Sequence, residues 1–483
     1  MPDFRPVLFI VGVLLVTLAA SMLLPAAVDA AYGDPDWQVF FSAAAITAGM
    51  GGALMLGYRQ RELPSLSVRE GFVLIAAAWV SLAGFATLPL MLSAARLDPA
   101  DAFFEAMSGL TTTGATVLTG LDRAPKGLLL WRAMLQWIGG IGIIVMAVAV
   151  LPVLRVGGMQ LFRMESSDKS EKIRPRVSQV SGIIISVYVT LTAMCALALT
   201  IAGMDPFDAV CHAMATIATG GFSTRDASIA AYDSAAIEWI VTLFMLLGGC
   251  TFVLLARLVQ GDVRAFWRDS QTRWYLAYIA GFVAAIAAWQ VLVNGRPALA
   301  AIGASAFNVV SVATTTGFAS EDYTLWGSLP IGAFMALLFI GGCTGSTAGG
   351  IKVFRFCVLG SIAHWQILHL VHPHRVLPPT YNGKPISDDV MRSVLSFFAF
   401  YIGAYAVLGI GLTAFGLDLV TALSGVAQAL ANVGPGLGPV IGPAGNYATL
   451  PDGAKWLLSF AMLLGRLELL TVLVLFSPTF WRG

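Results

Sequence analysis

The 483-residue chain is 58% hydrophobic and 11% charged, with a mean hydropathy of +0.81. Soluble domains carry about 25% charged residues, so this composition excludes a soluble globular protein and points to an integral membrane protein. A net charge of +1 offers no bulk basic surface for nucleic acid. The five cysteines (Cys195, Cys211, Cys250, Cys343, Cys357) lie singly, without CxxC pairing or metal-ligand spacing, and read as small side chains inside helices.

A bilayer-spanning helix needs about 20 mostly apolar residues. The first apolar run, 6–27, is longer than the core of a signal peptide and reads as a transmembrane helix. The next two full-length runs are 37–58 and 69–93; further runs follow at 128–154, 178–203, 236–259, 274–293, 329–370, 390–415 and 454–477. The run 329–370 is too long for one span, and GGCTGSTAGG interrupts it, so it is expected to be a broken helix. Trp37, Trp274, Tyr275, Trp456 and Trp481 sit near span ends and read as interfacial anchors.

Lys and Arg collect in four connections. These hold Arg59, Arg61 and Arg69; Arg155, Arg163, Lys169, Lys172, Arg174 and Arg176; Arg257, Arg264, Arg268 and Arg273; and Lys352, Arg355, Arg375, Lys384 and Arg392. The positive-inside rule makes these connections cytoplasmic and places both termini inside. The stretches around 98–120, 205–225, 300–320 and 418–440 must then enter and leave on one face, as re-entrant hairpins.

Those four stretches are copies of one another. LDPADAFFEAMSGLTTTGAT and MDPFDAVCHAMATIATGGFS align without a gap, Asp98 to Asp205 and Gly114 to Gly221 both being 107 positions apart. ALAAIGASAFNVVSVATTTGFAS is a third copy without the Asp-Pro start. GLDLVTALSGVAQALANVGPGLG is a fourth, in which Asn432 replaces the Thr. Each copy predicts a short helix of roughly 12 residues, begun by Asp or Asp-Pro as cap and first turn, that runs into (Thr/Asn)-x-Gly. With one long helix before and one after, the unit repeats four times in one orientation. An inverted-repeat symporter would alternate.

The expected fold is therefore an all-α polytopic membrane protein: four pseudo-symmetric helix–pore-helix–filter-loop–helix repeats around one pore, plus two extra N-terminal helices. The expected division is 1–62 for the extra pair, 63–165 for repeat 1, 166–265 for repeat 2, 266–378 for repeat 3 with its broken, gate-bearing helix, and 379–483 for repeat 4.

Non-helical backbone at membrane depth must be buried in protein or line a water-filled cavity. Four converging loops would offer rings of backbone carbonyls, which replace the hydration shell of a monovalent cation. The candidate filter is Thr112, Thr113 and Gly114; Thr219, Gly220 and Gly221; Thr315, Thr316 and Gly317; and Asn432, Val433 and Gly434. Gly permits the positive φ that aims carbonyls inward, and each pore helix turns its partly negative C-terminal end toward the axis. No carboxylate lies in the triplets, whereas a hard divalent ion would want several. K+ or a similar monovalent ion is the expected cargo, and no other metal is expected.

Two further features bear on transport. Gly341, Gly342, Thr344, Gly345, Ser346, Thr347, Ala348, Gly349, Gly350 and Lys352 form a Gly-rich segment, expected to be a displaceable gate beneath the filter. One Gly or Pro would suffice for a simple kink. Arg466, deep in an apolar run, is expected either to face the ion cavity or to pair with a polar group of another repeat such as Glu105. Asp122, Asp226, Glu321 and Asp322 follow the filter glycines and read either as cation-concentrating or as solvated loop charges. His364, His369, His372 and His374 lack acidic or Cys companions and read as a surface rather than a metal site. No Walker loop, Rossmann glycine pattern or nucleophile elbow is present, and no catalytic constellation stands out for a membrane enzyme.

TTTGATV, TIATGGFST, SVATTTGFAS and ANVGPGLGP, with WIGGIGIIVMAVAVLP, FMLLGG, IGGCTGSTAGGIKVFR and GRLEL, resemble TrkH-type subunits of the Trk/Ktr/HKT superfamily over nearly the whole chain. The resemblance implies a K+ uptake protein of the bacterial inner membrane and a homodimer with one pore per protomer. It also implies a cytoplasmic TrkA-like ring of regulatory subunits that holds the nucleotide, ATP/ADP or NAD(H). It agrees with the Gly-rich segment as the gate and Arg466 as the cavity cation. No covalent cofactor is implied. A Na+-permeable or H+/Na+-coupled symporter of the same architecture is the alternative.

Overall fold

The computed structural model describes residues 3–59, 66–149, 177–374 and 378–482. Basic residues expected at Arg61, Arg155 through Arg176 and Arg375 lie outside this set, as does the expected junction between repeats 1 and 2.

Helix Phe4–Tyr32 begins at Asp3, whose carboxylate accepts from Arg5 N, and stops at Gly33 in the left-handed conformation. It lies against Trp37–Gly57. The crossing is close because Gly12 and Gly51 face each other: a Cβ on either would lie 2.8 Å from the other's carbonyl oxygen. The next helix, Val68–Leu92, opens with a Ser67/Glu70 capping box, and Glu70 also accepts from Asp3 N at 2.9 Å.

Four units follow. The first comprises Val68–Leu92, the pore helix Pro99–Leu110 and Lys126–Ala149. The second comprises Val177–Ile201, the pore helix Pro206–Ile217 and the pair Ala235–Gly248 and Phe252–Val259. The third comprises Ser270–Leu292, the pore helix Ala298–Ala313, Ser328–Leu337 and Val353–Val371. The fourth comprises Asp388–Thr413, the pore helix Leu419–Ala431 and the pair Asp452–Arg466 and Leu470–Phe476. Among the described residues, eight helices are long and apolar enough to span a bilayer, or ten if each bent pair is one span. Among the described residues the fold is otherwise all-α, apart from a short hairpin pairing Thr380–Tyr381 with Lys384–Pro385 and an isolated bridge between Ile340 and Ile351.

Three sequence expectations need correction. The runs 236–259 and 454–477 are not continuous helices: they bend by 106° and 107°. Tyr275 is not an interfacial anchor. It is fully buried and donates to Leu246 O at 3.1 Å, whereas Trp274 is exposed. The third pore helix has 16 residues instead of 12, starting behind Pro297. The break at 338–352 follows expectation.

The C-terminal halves of the pore helices, which lead into the loops, are buried almost throughout. Large apolar side chains such as Leu197, Leu299 and Ile410 point outward and are exposed. In a membrane that rim meets lipid, so the chain is wrapped outside-in relative to a soluble protein, with its polar backbone irregularities enclosed.

Candidate ion pathway

Each pore helix ends in the same way. Thr112 N bonds Gly109 O and Thr113 N bonds Ser108 O, at 3.0 and 2.8 Å. The pattern recurs as Thr219 and Gly220 on Thr216 and Ala215, Thr315 and Thr316 on Val312 and Ser311, and Asn432 and Val433 on Ala429 and Gln428. This is the Schellman cap, whose left-handed residue is usually Gly. Here it is Thr112 (φ 53°), Thr219 (50°), Thr315 (59°) or Asn432 (55°). A β-branched residue at positive φ is an outlier that surrounding structure must hold in place. The sequence reading assigned positive φ to the glycines alone. They have it as well, at 87°, 77°, 82° and 104° for Gly114, Gly221, Gly317 and Gly434.

The four loops meet in chain order. A Cβ on Gly114 would stand 2.1 Å from Gly220 O, one on Gly221 1.9 Å from Thr316 O, and one on Gly317 2.0 Å from Val433 O. One on Gly434 would stand 2.8 Å from Thr113 O, which closes the ring. No side chain fits between neighbouring loops. All twelve expected residues therefore lie together, and the fourth-to-first junction is the loosest. Asn432 Nδ2 bridges that junction to Thr113 Oγ1 at 3.0 Å, and Tyr447 reinforces it, donating from its hydroxyl to Gly434 O at 2.8 Å and from its backbone to Thr116 O at 2.9 Å.

Behind the ring, a polar residue on each pore helix pins the chain leaving the loop. Glu105 accepts from Val117 N, His212 Nε2 meets Ser223 Oγ, Asn308 meets Ser320 and Ser424 Oγ accepts from Leu437 N. Of these, the sequence singles out Glu105 alone, as a candidate partner of Arg466 and not as a loop support; His212, Asn308 and Ser424 are not singled out. The signal for three of them is a common place, nine positions before the loop glycine for Glu105, His212 and Asn308, whereas Ser424 stands one position earlier in its copy.

The Gly-rich segment lies directly against the ring. Gly349 N donates to Thr315 Oγ1 at 2.6 Å, and Thr347 Oγ1 donates to Ile217 O at 2.9 Å at the end of the second pore helix. A Cβ on Gly349 would stand 2.2 Å from Ala431 O. The segment is held from behind as well: Thr344 N donates to Gln271 Oε1 at 2.9 Å, Cys343 N to Gly249 O at 2.9 Å, and Phe252 N to Gly345 O at 3.1 Å. Lys352 Nζ reaches back to Ala348 O.

Arg466 is buried and donates from Nη1 to Thr347 O at 2.8 Å. It does not pair with Glu105, whose ionic partner is Arg132. Just beyond Arg466 the helix breaks, with Glu468 and Leu469 both at positive φ. Glu468 pairs with Arg355, whose guanidinium lies 3.7 Å from the Phe397 ring centre. A cavity beside the Gly-rich segment is lined by Ile143, Ser346, Lys352, Gly465, Arg466 and Glu468 among others. The Gly-rich segment with its Lys352 and Arg466 thus line one cavity.

On the opposite side of the ring, the acidic loop residues are mostly engaged. Arg225 bridges Asp122 at 3.3 Å and buried Asp208 at 2.7 Å, and its hydrogen bonds to Asp208 push the guanidinium above its usual range. Asp226 accepts from Leu121 N, Glu321 pairs with Arg296, and Asp322 caps Thr324. Few of these charges are free to gather cations. His364, His372 and His374 are exposed, and His369 is half-buried and stacks on Trp365. Among the described residues no group of three or more His, Cys, Asp or Glu is placed to hold a metal ion.

A family model described as the TrkH cation transport protein matches residues 36–482. The chain belongs to the TrkH family of cation transport proteins. Among its relatives, the Trk system potassium uptake protein TrkI of Halomonas elongata is 46% identical over 481 residues, covering 99% of this chain and 97% of that one. The Trk system potassium uptake protein TrkH of Escherichia coli K12 is 41% identical over 490 residues, covering 99% of each. The crystal structure of the potassium transporter TrkH from Vibrio parahaemolyticus superposes with a TM-score of 0.91 at 36% identity, covering 99% of this chain and 100% of that one. This TrkH-family chain is therefore a multi-span transporter and not an enzyme.

Proposed function

We propose that this chain takes up K+ through the ring of twelve residues, acting as the translocating subunit of a Trk system in a bacterial cytoplasmic membrane. The observation that carries the reading is the cyclic contact of the four loops, Gly114 on Gly220, Gly221 on Thr316, Gly317 on Val433 and Gly434 on Thr113. Four identically capped loops that touch in order present backbone carbonyls to one axis, and carbonyl rings suit a dehydrated monovalent cation. The names of the full-length relatives add potassium as the cargo.

The segment Gly341–Lys352 is the gate in this reading, and Arg466 is its latch. Hydrogen bonds at Thr315, Ile217 and Arg466 hold the segment closed under the ring, and its small residues let it leave. Opening is controlled by a cytoplasmic TrkA-like ring that binds ATP/ADP or NAD(H), both termini lie on that side, and two copies form a homodimer with one pore each.

The test is purified protein in liposomes with a K+ gradient and radioactive Rb+ as tracer. Uptake blocked by excess K+ but not by excess Na+ is expected. Uptake blocked equally by both would replace K+ selectivity with the Na+-permeable alternative, and no uptake beyond protein-free liposomes would overturn the reading.

A further inference from the structure

The exit of the first loop has a fully buried, charged support. Glu105, on the first pore helix, and Arg132, on the helix Lys126–Ala149, are 0% and 1% exposed and pair through Oε1 and Nε at 2.8 Å. Glu105 also accepts from Val117 N at 2.9 Å and from Thr116 Oγ1, so it fixes the exit of the first loop. Arg132 donates from Nη1 to Ser223 O at 2.8 Å, on the exit of the second loop, and from Nη2 to Thr116 Oγ1 at 3.2 Å. Its guanidinium carbon lies 4.1 Å from the Phe222 ring centre, one residue after Gly221. Gln136, one turn along the same helix face, completes the grip on the second loop with bonds to Gly220 O at 2.5 Å and from Phe222 N at 3.0 Å.

Every polar atom of this unit is thus spent on two adjacent quarters of the ring, and the supports in the other quarters, His212, Asn308 and Ser424, form no ion pair. A fully buried ion pair costs desolvation and adds little net stability unless geometry is its purpose. A planar guanidinium is suited to that purpose, because its donors point in fixed directions.

We propose that Glu105 and Arg132 are positioning residues for ion selection. Together they set the separation of the first and second filter loops at the Gly114–Gly220 contact. This rests on reading the twelve residues as the filter. Loss of the pair lets the two loops part, and a wider ring distinguishes K+ less well from the smaller, more strongly hydrated Na+.

The test measures K+ half-saturation, maximal rate and Na+ competition of Rb+ uptake in liposomes for Glu105→Gln, Arg132→Lys and Thr116→Val. Thr116→Val keeps both charges and only removes the hydroxyl that bridges them, so it guards against variants that fail to fold. Expected are a rise in K+ half-saturation and a loss of K+ preference over Na+, about tenfold for Glu105→Gln, the scale of one lost charge-assisted hydrogen bond. Arg132→Lys, which keeps the charge but loses the forked donors, shows part of the effect, and Thr116→Val shifts both readouts in the same direction but less. A fall in maximal rate with half-saturation and preference unchanged in all three would reduce the pair to a fold support and overturn the proposal. Glycine-to-serine variants of the filter, run in parallel, separate this failure from failure of the filter reading: if they too leave preference unchanged, the filter itself is misassigned.

Discussion

Arg466 Nη1 donates to Thr347 O at 2.8 Å, joining the last broken helix to the Gly-rich segment of the third unit across 119 residues of sequence. Removal of a hydrogen bond to a charged group costs about 1.5–3 kcal/mol. Arg466→Ala should therefore favour displacement of the segment and raise passive Rb+ efflux from loaded liposomes roughly tenfold or more, while Arg466→Lys, which can reach one carbonyl, should rise less. Efflux equal to wild type in both variants would remove Arg466 from gating.

Thr315 belongs to both ring and gate, its backbone in the loop and its Oγ1 accepting from Gly349 N at 2.6 Å. Thr315→Val keeps the shape and deletes the acceptor. Passive flux should rise, but less than on deletion of Gly345–Gly349, which removes the segment's contacts altogether. A folded deletion variant with unchanged or lower flux would contradict the gate.

Thr112 sits at φ 53° with its buried Oγ1 unpartnered, whereas the fourth unit places Asn at the same position. Asn tolerates the left-handed region better than a β-branched residue. Thr112→Asn should leave a folded protein whose melting temperature is unchanged or higher, by up to about 1 kcal/mol of stability. A marked fall in melting temperature in detergent would show that the Thr methyl, not the backbone, governs the site.

Tyr447 anchors the loosest junction of the ring through its hydroxyl on Gly434 O. Tyr447→Phe removes that one bond, worth about 1 kcal/mol, and keeps the ring packing on Phe104. K+ half-saturation should rise about fivefold at near-normal expression. An unchanged half-saturation would mean that Asn432 alone secures the fourth loop.

Much of this architecture was legible because it repeats. The matched spacing of Asp98 to Asp205 and Gly114 to Gly221 exposed the re-entrant units, and the glycine run at 341–350 exposed one broken helix. The break after Arg466 was not legible. Leu467, Glu468 and Leu469 are good helix formers, and the chain turns there with Glu468 drawn to Arg355, a residue 113 positions away. Gly248 and Gly249 did hint at the bend in 236–259, but two glycines in an apolar run also suit an unbroken membrane helix. The left-handed Thr residues were invisible for a similar reason: propensity places Gly there, and only the packed caps hold Thr at positive φ. Tyr275 was misplaced because its neighbour Trp274 does face outward; one residue's shift on a helix is enough to turn a side chain from lipid into the core.

The central claim is that the four glycines form the narrow part of a K+ pathway. It is tested most directly by Rb+ uptake, with and without competing Na+, in a bacterium lacking its own K+ uptake. The comparison is wild type against Gly114→Ser, Gly221→Ser, Gly317→Ser and Gly434→Ser. A side chain at 114, 221 or 317 would meet a neighbouring carbonyl oxygen at 2.1 Å or less, but at 434 only at 2.8 Å. Uptake and K+ preference should therefore fall in all four, least in Gly434→Ser. Uptake whose preference for K+ is untouched by every substitution, in variants that reach the membrane normally, would contradict the account.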